Sequence, residues 1–247
     1  MNEISRPASF GQTTRSDNWW LEPLLVALGF AVFIIYGTYR ALENQYFEIG
    51  PYLSPFYSPK LNFDWWHLSP AFLILWIPGG FRATCYYYRK AYYRAYFADP
   101  LACGVGQFAN KKYCGESAFP FVLQNFHRYF FYLATIVLAI LWFDALKTLF
   151  YDGAVHFSLL SLVMLGNVVL LSGYSFGCHA CRHLAGGKLN CFSTNSTTQS
   201  KFKIWNFITR LNENHMTWAW FSLFSVGLTD LYIRQVACGA VSDFKFF

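Results

Sequence analysis

Five stretches of this sequence stay apolar long enough to cross a bilayer: residues 23–39, 65–88, 121–145, 157–177 and 216–237. A helix rises about 1.5 Å per residue, so about 20 mostly apolar residues reach across the hydrocarbon layer. Inside lipid the backbone must satisfy its own hydrogen bonds, and helices do that within one segment. Hydrophobic residues make up 55% of the 247 and charged residues only 13%, which excludes an ordinary soluble fold. The expectation is an all-α polytopic membrane protein, a single integral membrane domain over 1–247 built as a five-helix bundle.

Two of the stretches carry interruptions. Pro70 and the run Pro78-Gly79-Gly80 fall in the second, and Gly166 and Gly173 in the fourth allow close helix approach. Trp19, Trp20, Tyr36, Trp65 and Trp66 suit the boundaries between water and lipid. The first twenty residues are polar and contain no apolar core of the signal-peptide type.

Lys and Arg in short loops favour the cytoplasmic side. With the N-terminus cytoplasmic, that side gathers Arg6 and Arg15, then Arg82, Arg89, Lys90, Arg94, Lys111, Lys112 and Arg128, then Arg182, Lys188, Lys201, Lys203 and Arg210. The opposite side keeps Arg40, Lys60, Lys147, Arg234 and Lys245. The same topology puts Cys85, Cys103, Cys114, Cys178, Cys181 and Cys191 on the reducing side, with Cys238 opposite. Disulfides are disfavoured there, so the thiols are expected to bind metal or simply be buried. The expected location is the cell (inner) membrane, with multiple passes.

The chemistry concentrates in Cys178-His179-Ala180-Cys181-Arg182-His183, at the end of the fourth stretch. Two thiols and two imidazoles within six residues suggest metal or iron–sulfur ligation. On a helix Cys178 and Cys181 share one face and His179 and His183 a neighbouring one, so a single centre would draw donors from other spans as well. Cys85 and His127 reach a similar depth. Two thiolates with two imidazoles suit a Rieske-type [2Fe–2S] cluster, and zinc could use the same donors. A haem b held by His67 and His156 is an alternative, since facing histidines on different helices make axial ligands. For Cys103, Cys114, Cys191 and Cys238, simple burial is the expectation.

Residues 86–94, rich in Tyr, Arg and Lys, read as a headgroup anchor or a docking face, and nucleic-acid binding is not expected directly after a membrane span. Asp230 and Arg234 form an i, i+4 charged pair in the last stretch, where an ion pair of structural role competes with a proton-path role.

The segments 81–94 and 123–132, together with the Cys178 to His183 group and Gly227-Leu228-Thr229-Asp230-Leu231-Tyr232, resemble the succinate dehydrogenase membrane-anchor family of actinobacterial type. The likeness runs from about Trp65 to Val236. It implies a five-helix anchor for a flavoprotein and an iron–sulfur subunit, with a membrane-embedded Rieske-type cluster near a quinone site. Matching positions implicate Cys85, His127, Cys178, His179, Cys181 and His183 as cluster ligands. The implied function is electron transfer from succinate to quinone, menaquinone above all, as the quinone-reducing part of the enzyme. Succinate oxidation would belong to another subunit, since no dinucleotide-type glycine fingerprint occurs here. Tyr86, Arg128, Tyr129 and Trp205 are the expected quinone contacts, because cations and phenols stabilise developing negative charge on oxygen. A zinc-stabilised docking protein without redox role is the remaining alternative. Membrane lipids are expected around the bundle.

Overall fold

The computed structural model describes residues 9–98, 100–107, 117–119, 121–187 and 189–246. Arg6, Lys111, Lys112, Cys114 and Lys188 lie outside the described residues. Eight helices are formed among them: α1 (Leu21–Glu43), α2 (Phe72–Ala83), α3 (Tyr86–Phe97), α4 (His127–Lys147), α5 (Leu159–Phe176), α6 (His179–Gly186), α7 (Ser196–Glu213) and α8 (His215–Ala237). Two small antiparallel hairpins join them, β1 (Glu48–Ile49) with β2 (Tyr52–Leu53) and β3 (Phe150–Tyr151) with β4 (Ala154–Val155).

Among the described residues, three segments are both long and apolar enough to cross a membrane: Leu21–Glu43, Val122–Lys147 and Leu159–Phe176. The last stretch forms a 23-residue helix, α8, whose apolar character is diluted by Ser, Thr, Asp230 and Arg234. The second differs from the expectation of one helix over 65–88. Its apolar part, α2, has 12 residues. The chain turns at Cys85, which is extended (φ −65°, ψ 131°) and caps the separate helix α3. The third stretch opens with a short 3-10 turn, Phe121–Phe126, before α4 begins at His127.

The chain forms two compact units. One comprises Met1–Ile35 with Arg82–Phe126, and the other Tyr36–Phe81 with His127–Phe247. In the first, Phe30 of α1 packs against Tyr88 of α3 with ring centres 5.6 Å apart, and the Tyr96 hydroxyl donates to the Ala27 carbonyl at 2.7 Å. The N-terminal arm is tied to the loop after α3: Gly11 N–H donates to Gly106 O, Gly106 N–H to Gln12 O, and the Arg15 guanidinium to Cys103 O at 2.9 Å.

The second unit holds the larger core. Val137, Leu141 and Ala145 of α4 lie at intervals of four, as do Leu160, Met164 and Val168 of α5, and Ile233 of α8 closes the cluster. Residues four apart share one helix face, so two such rows interlock. Polar contacts fix the helices laterally: Ser225 Oγ donates to Asn167 Oδ1 at 2.8 Å, and Trp142 Nε1 to Ser172 Oγ at 2.9 Å. A Cβ on Gly173 would stand 2.5 Å from the Trp218 ring, and one on Gly80 would stand 2.1 Å from Phe130. Both glycines are therefore sites of close approach.

At the C-terminal end of α8 the charges are collected in one cluster. Asp230 is fully buried and Arg234 nearly so. Arg234 Nε donates to Asp230 Oδ2 at 2.9 Å, and its Nη groups reach Glu43, Gln45 O and Arg40 O. Asp230 also accepts from Tyr36 at 2.7 Å and from Ser54. Phe47 stacks on Tyr57 at 4.0 Å beside them.

Candidate thiol and imidazole site

Cys178 is placed by a break in the backbone. α5 ends at Phe176, Gly177 carries its last N–H back to Gly173 O, and Cys178 is extended (φ −69°, ψ 146°) at the start of α6. Its sulfur accepts from Ala180 N–H at 3.4 Å. A Cβ at Gly177 would stand 2.6 Å from Gly173 O, so the turn leaves no room for a side chain. Cys85 sits at the same kind of corner in the other unit, between α2 and α3, and both thiols are buried, at 2% and 1% exposure.

His127, the first residue of α4, brings its Nε2 to 2.8 Å from Cys178 Sγ. The imidazole lies flat on Phe81, 4.9 Å between centres and 6° between planes. Phe81 meets Tyr174 edge-on at 5.3 Å, and Tyr174 stacks on His215 at 5.1 Å. A continuous aromatic wall therefore backs the thiol–imidazole contact.

The other expected donors are spread around it. His179 opens α6 and is exposed, while Cys181 is half-buried and burial pushes its thiol up. His183 is engaged elsewhere: the Arg128 guanidinium stands 2.9 Å from its Nδ1, so that nitrogen accepts and the ring proton lies on Nε2. Arg182 donates to Thr209 Oγ1 at 3.0 Å and lies 4.5 Å over the Trp205 ring. Tyr129 is 64% exposed, and Tyr86, in the other unit, is 68% exposed. Thus Arg128 is joined to His183 and Trp205 to Arg182, whereas Tyr129 and Tyr86 face outward.

His67 and His156 both lie outside helices, His67 exposed and His156 stacked on Tyr151 at 3.9 Å. An axial haem pair needs two rings facing from neighbouring helices, and this placement does not supply it.

Iron–sulfur ligation requires thiolates and neutral imidazoles held away from water. Cys178 and His127 are of the right donor types, the thiol buried and the imidazole half-buried. A two-iron shell needs four such donors, and among the described residues no three His, Cys, Asp or Glu side chains come close enough to share a metal ion. Phe81, Tyr174 and His215 complete the surroundings. Phe81 and Tyr174 escape a search for thiol and imidazole donors because it is their rings that line the contact, and their signal is position, four residues before Cys85 and Cys178 respectively.

Apolar helices of spanning length, with a thiol and an imidazole in contact at one end, define a helical membrane protein. The chain belongs to the actinobacterial succinate dehydrogenase subunit SdhC family, whose model matches residues 21–239. It is accordingly a succinate dehydrogenase subunit, on the membrane side and not the succinate-oxidising one. Among solved structures it is similar to a chain of the Mycobacterium smegmatis Sdh1 complex in the apo form, with 40% identity and a TM-score of 0.85, covering 95% of this chain and 94% of that one. Comparison with curated proteins gives no match.

Proposed function

We propose that this chain anchors a flavoprotein and an iron–sulfur subunit at the cell membrane, crossing it five times from a cytoplasmic N-terminus, and passes their electrons to quinone. Succinate loses two electrons and two protons on the partners, and quinone takes up two of each to become quinol. The observation that carries the reading is the contact of half-buried His127 with the buried Cys178 thiol, on a chain of the succinate dehydrogenase family.

In this reading His127 and Cys178 are two ligands of a Rieske-type [2Fe–2S] cluster, and the other two come from the remaining expected thiols and imidazoles. Such a cluster would supply a one-electron relay whose potential imidazole ligation raises above that of an all-thiolate cluster. Phe81 and Tyr174 keep water from the pair, and Phe81 holds the His127 ring plane. Arg128 presents positive charge at the cytoplasmic end and orients His183, whose Nε2 proton points away from the guanidinium. That pair supports binding and protonation of a quinone oxygen as it gains charge.

Electron paramagnetic resonance of the reduced complex tests the reading. An axial signal of low average g-value, lost in His127→Ala and Cys178→Ser while the partner clusters stay visible, is expected. Wild-type complex with only the partner signals and no iron on this chain would overturn it.

A further inference from the structure

We propose that α7 lies on an anionic phospholipid surface, with Ile204, Phe207 and Leu211 turned to the acyl chains and Lys203 and Arg210 at the headgroups.

Successive residues on a helix are turned by about 100°, which divides α7 into three sectors. One sector packs on the protein. Ile208 is buried, Asn212 Nδ2 donates to Gly177 O at 2.7 Å, Thr209 bonds Arg182, and Trp205 fills the space a Cβ on Gly186 would occupy, 2.8 Å away. The next sector holds Ile204 at 55% exposure and Phe207 at 62%, with partly exposed Leu211 one turn on. Spaced at i, i+3 and i+7, they make a continuous apolar stripe that the protein leaves uncovered. Beyond the stripe come Lys203 and Arg210, both exposed.

Protein contact, apolar stripe and cationic edge follow one another around the helix, as in helices that lie in the plane of a lipid interface. Two further observations select lipid. Asn212 is tied to Gly177, just past the end of the apolar helix α5, so the second half of α7 stands at the level where that span meets the boundary. The edge residues are also of one sign, complementary to acidic headgroups, and Glu213 is the single acid in α7.

The test is hydrogen–deuterium exchange on the whole complex in nanodiscs of phosphatidylcholine, with or without phosphatidylglycerol. Amides of residues 203–211 should exchange more slowly in the anionic discs, and Lys203→Gln and Arg210→Gln should each lessen the difference by about fivefold in surface affinity. Phe207→Ser should speed exchange in both lipids. Equal exchange in the two lipids would overturn the proposal. So would protection that vanishes when the soluble subunits are stripped off but ignores lipid charge, because the stripe would then belong to a protein partner.

Discussion

His127 Nε2 and Cys178 Sγ approach to 2.8 Å although 51 residues separate them, one side chain opening α4 and the other standing at the corner between α5 and α6. The contact requires α4 and α5 to start and stop at the same level, which their interlocked rows of Val137, Leu141, Ala145 and Leu160, Met164, Val168 enforce.

Replacing either partner should uncouple electron delivery from assembly. His127→Ala and Cys178→Ser are each expected to lower succinate-dependent quinone reduction by at least about tenfold, the scale of losses seen even for groups that only support a metal ligand. Succinate oxidation by a soluble dye should persist. Parallel assays of the two acceptors check this.

The Asp230–Arg234 pair should prove structural. Asp230 accepts from Ser54, Tyr36 and Arg234 at once, which ties α8 to α1 and to the loop before α2. Removing one member of a buried pair strands the other, at a cost of about 3–5 kcal/mol. Asp230→Ala is expected to reduce the yield and melting temperature of the complex, with unchanged turnover in whatever assembles. A fall in turnover at full yield would assign Asp230 to the proton path instead.

Gly173→Ala should destabilise the bundle by about 1–3 kcal/mol, since overpacking a tight contact forces neighbours to move. The new methyl group would meet Trp218 at 2.5 Å. Trp218→Leu in the same chain should recover much of the loss, and thermal melts of the single and double variants read this directly.

Cys191 should alkylate well at neutral pH. It is exposed, and the Ser193 hydroxyl, 3.2 Å away, leads the contacts that hold its thiol down to about 7. The thiolate is the nucleophile, so labelling should rise as pH climbs through 7 and fall away below it. Half-buried Cys181, pushed the other way, should lag at every pH. Site-resolved mass spectrometry after a brief iodoacetamide pulse measures both.

The apolar runs that became α1, α4 and α5 were legible because bilayer thickness imposes a length that no other environment demands. The second run was less so. Its apolar count extends to Tyr88, yet the helix stops at Ala83, because Cys85 adopts an extended backbone that composition does not encode. Local chemistry brought out the Cys178 to His183 group, but which donor would meet which depended on the corner at Cys178 and on the Phe81 ring that sets the His127 plane. His183 shows the limit of spacing: four residues from His179 on α6, it turns instead to Arg128 on another helix. α7 does not stand out as a span, since its apolar residues occupy a stripe beside charged ones.

The cluster around Arg234 bears on the order in which the chain can be built. Tyr36, Arg40, Glu43, Gln45 and Ser54 are all synthesised well before α8 leaves the ribosome. A charged helix entering lipid alone would face a penalty of about 2.5–3.5 kcal/mol per charge at mid-membrane. Here α8 arrives to find its counter-charges and carbonyls already waiting, because every partner that Asp230 and Arg234 draw from outside α8 precedes it in the chain.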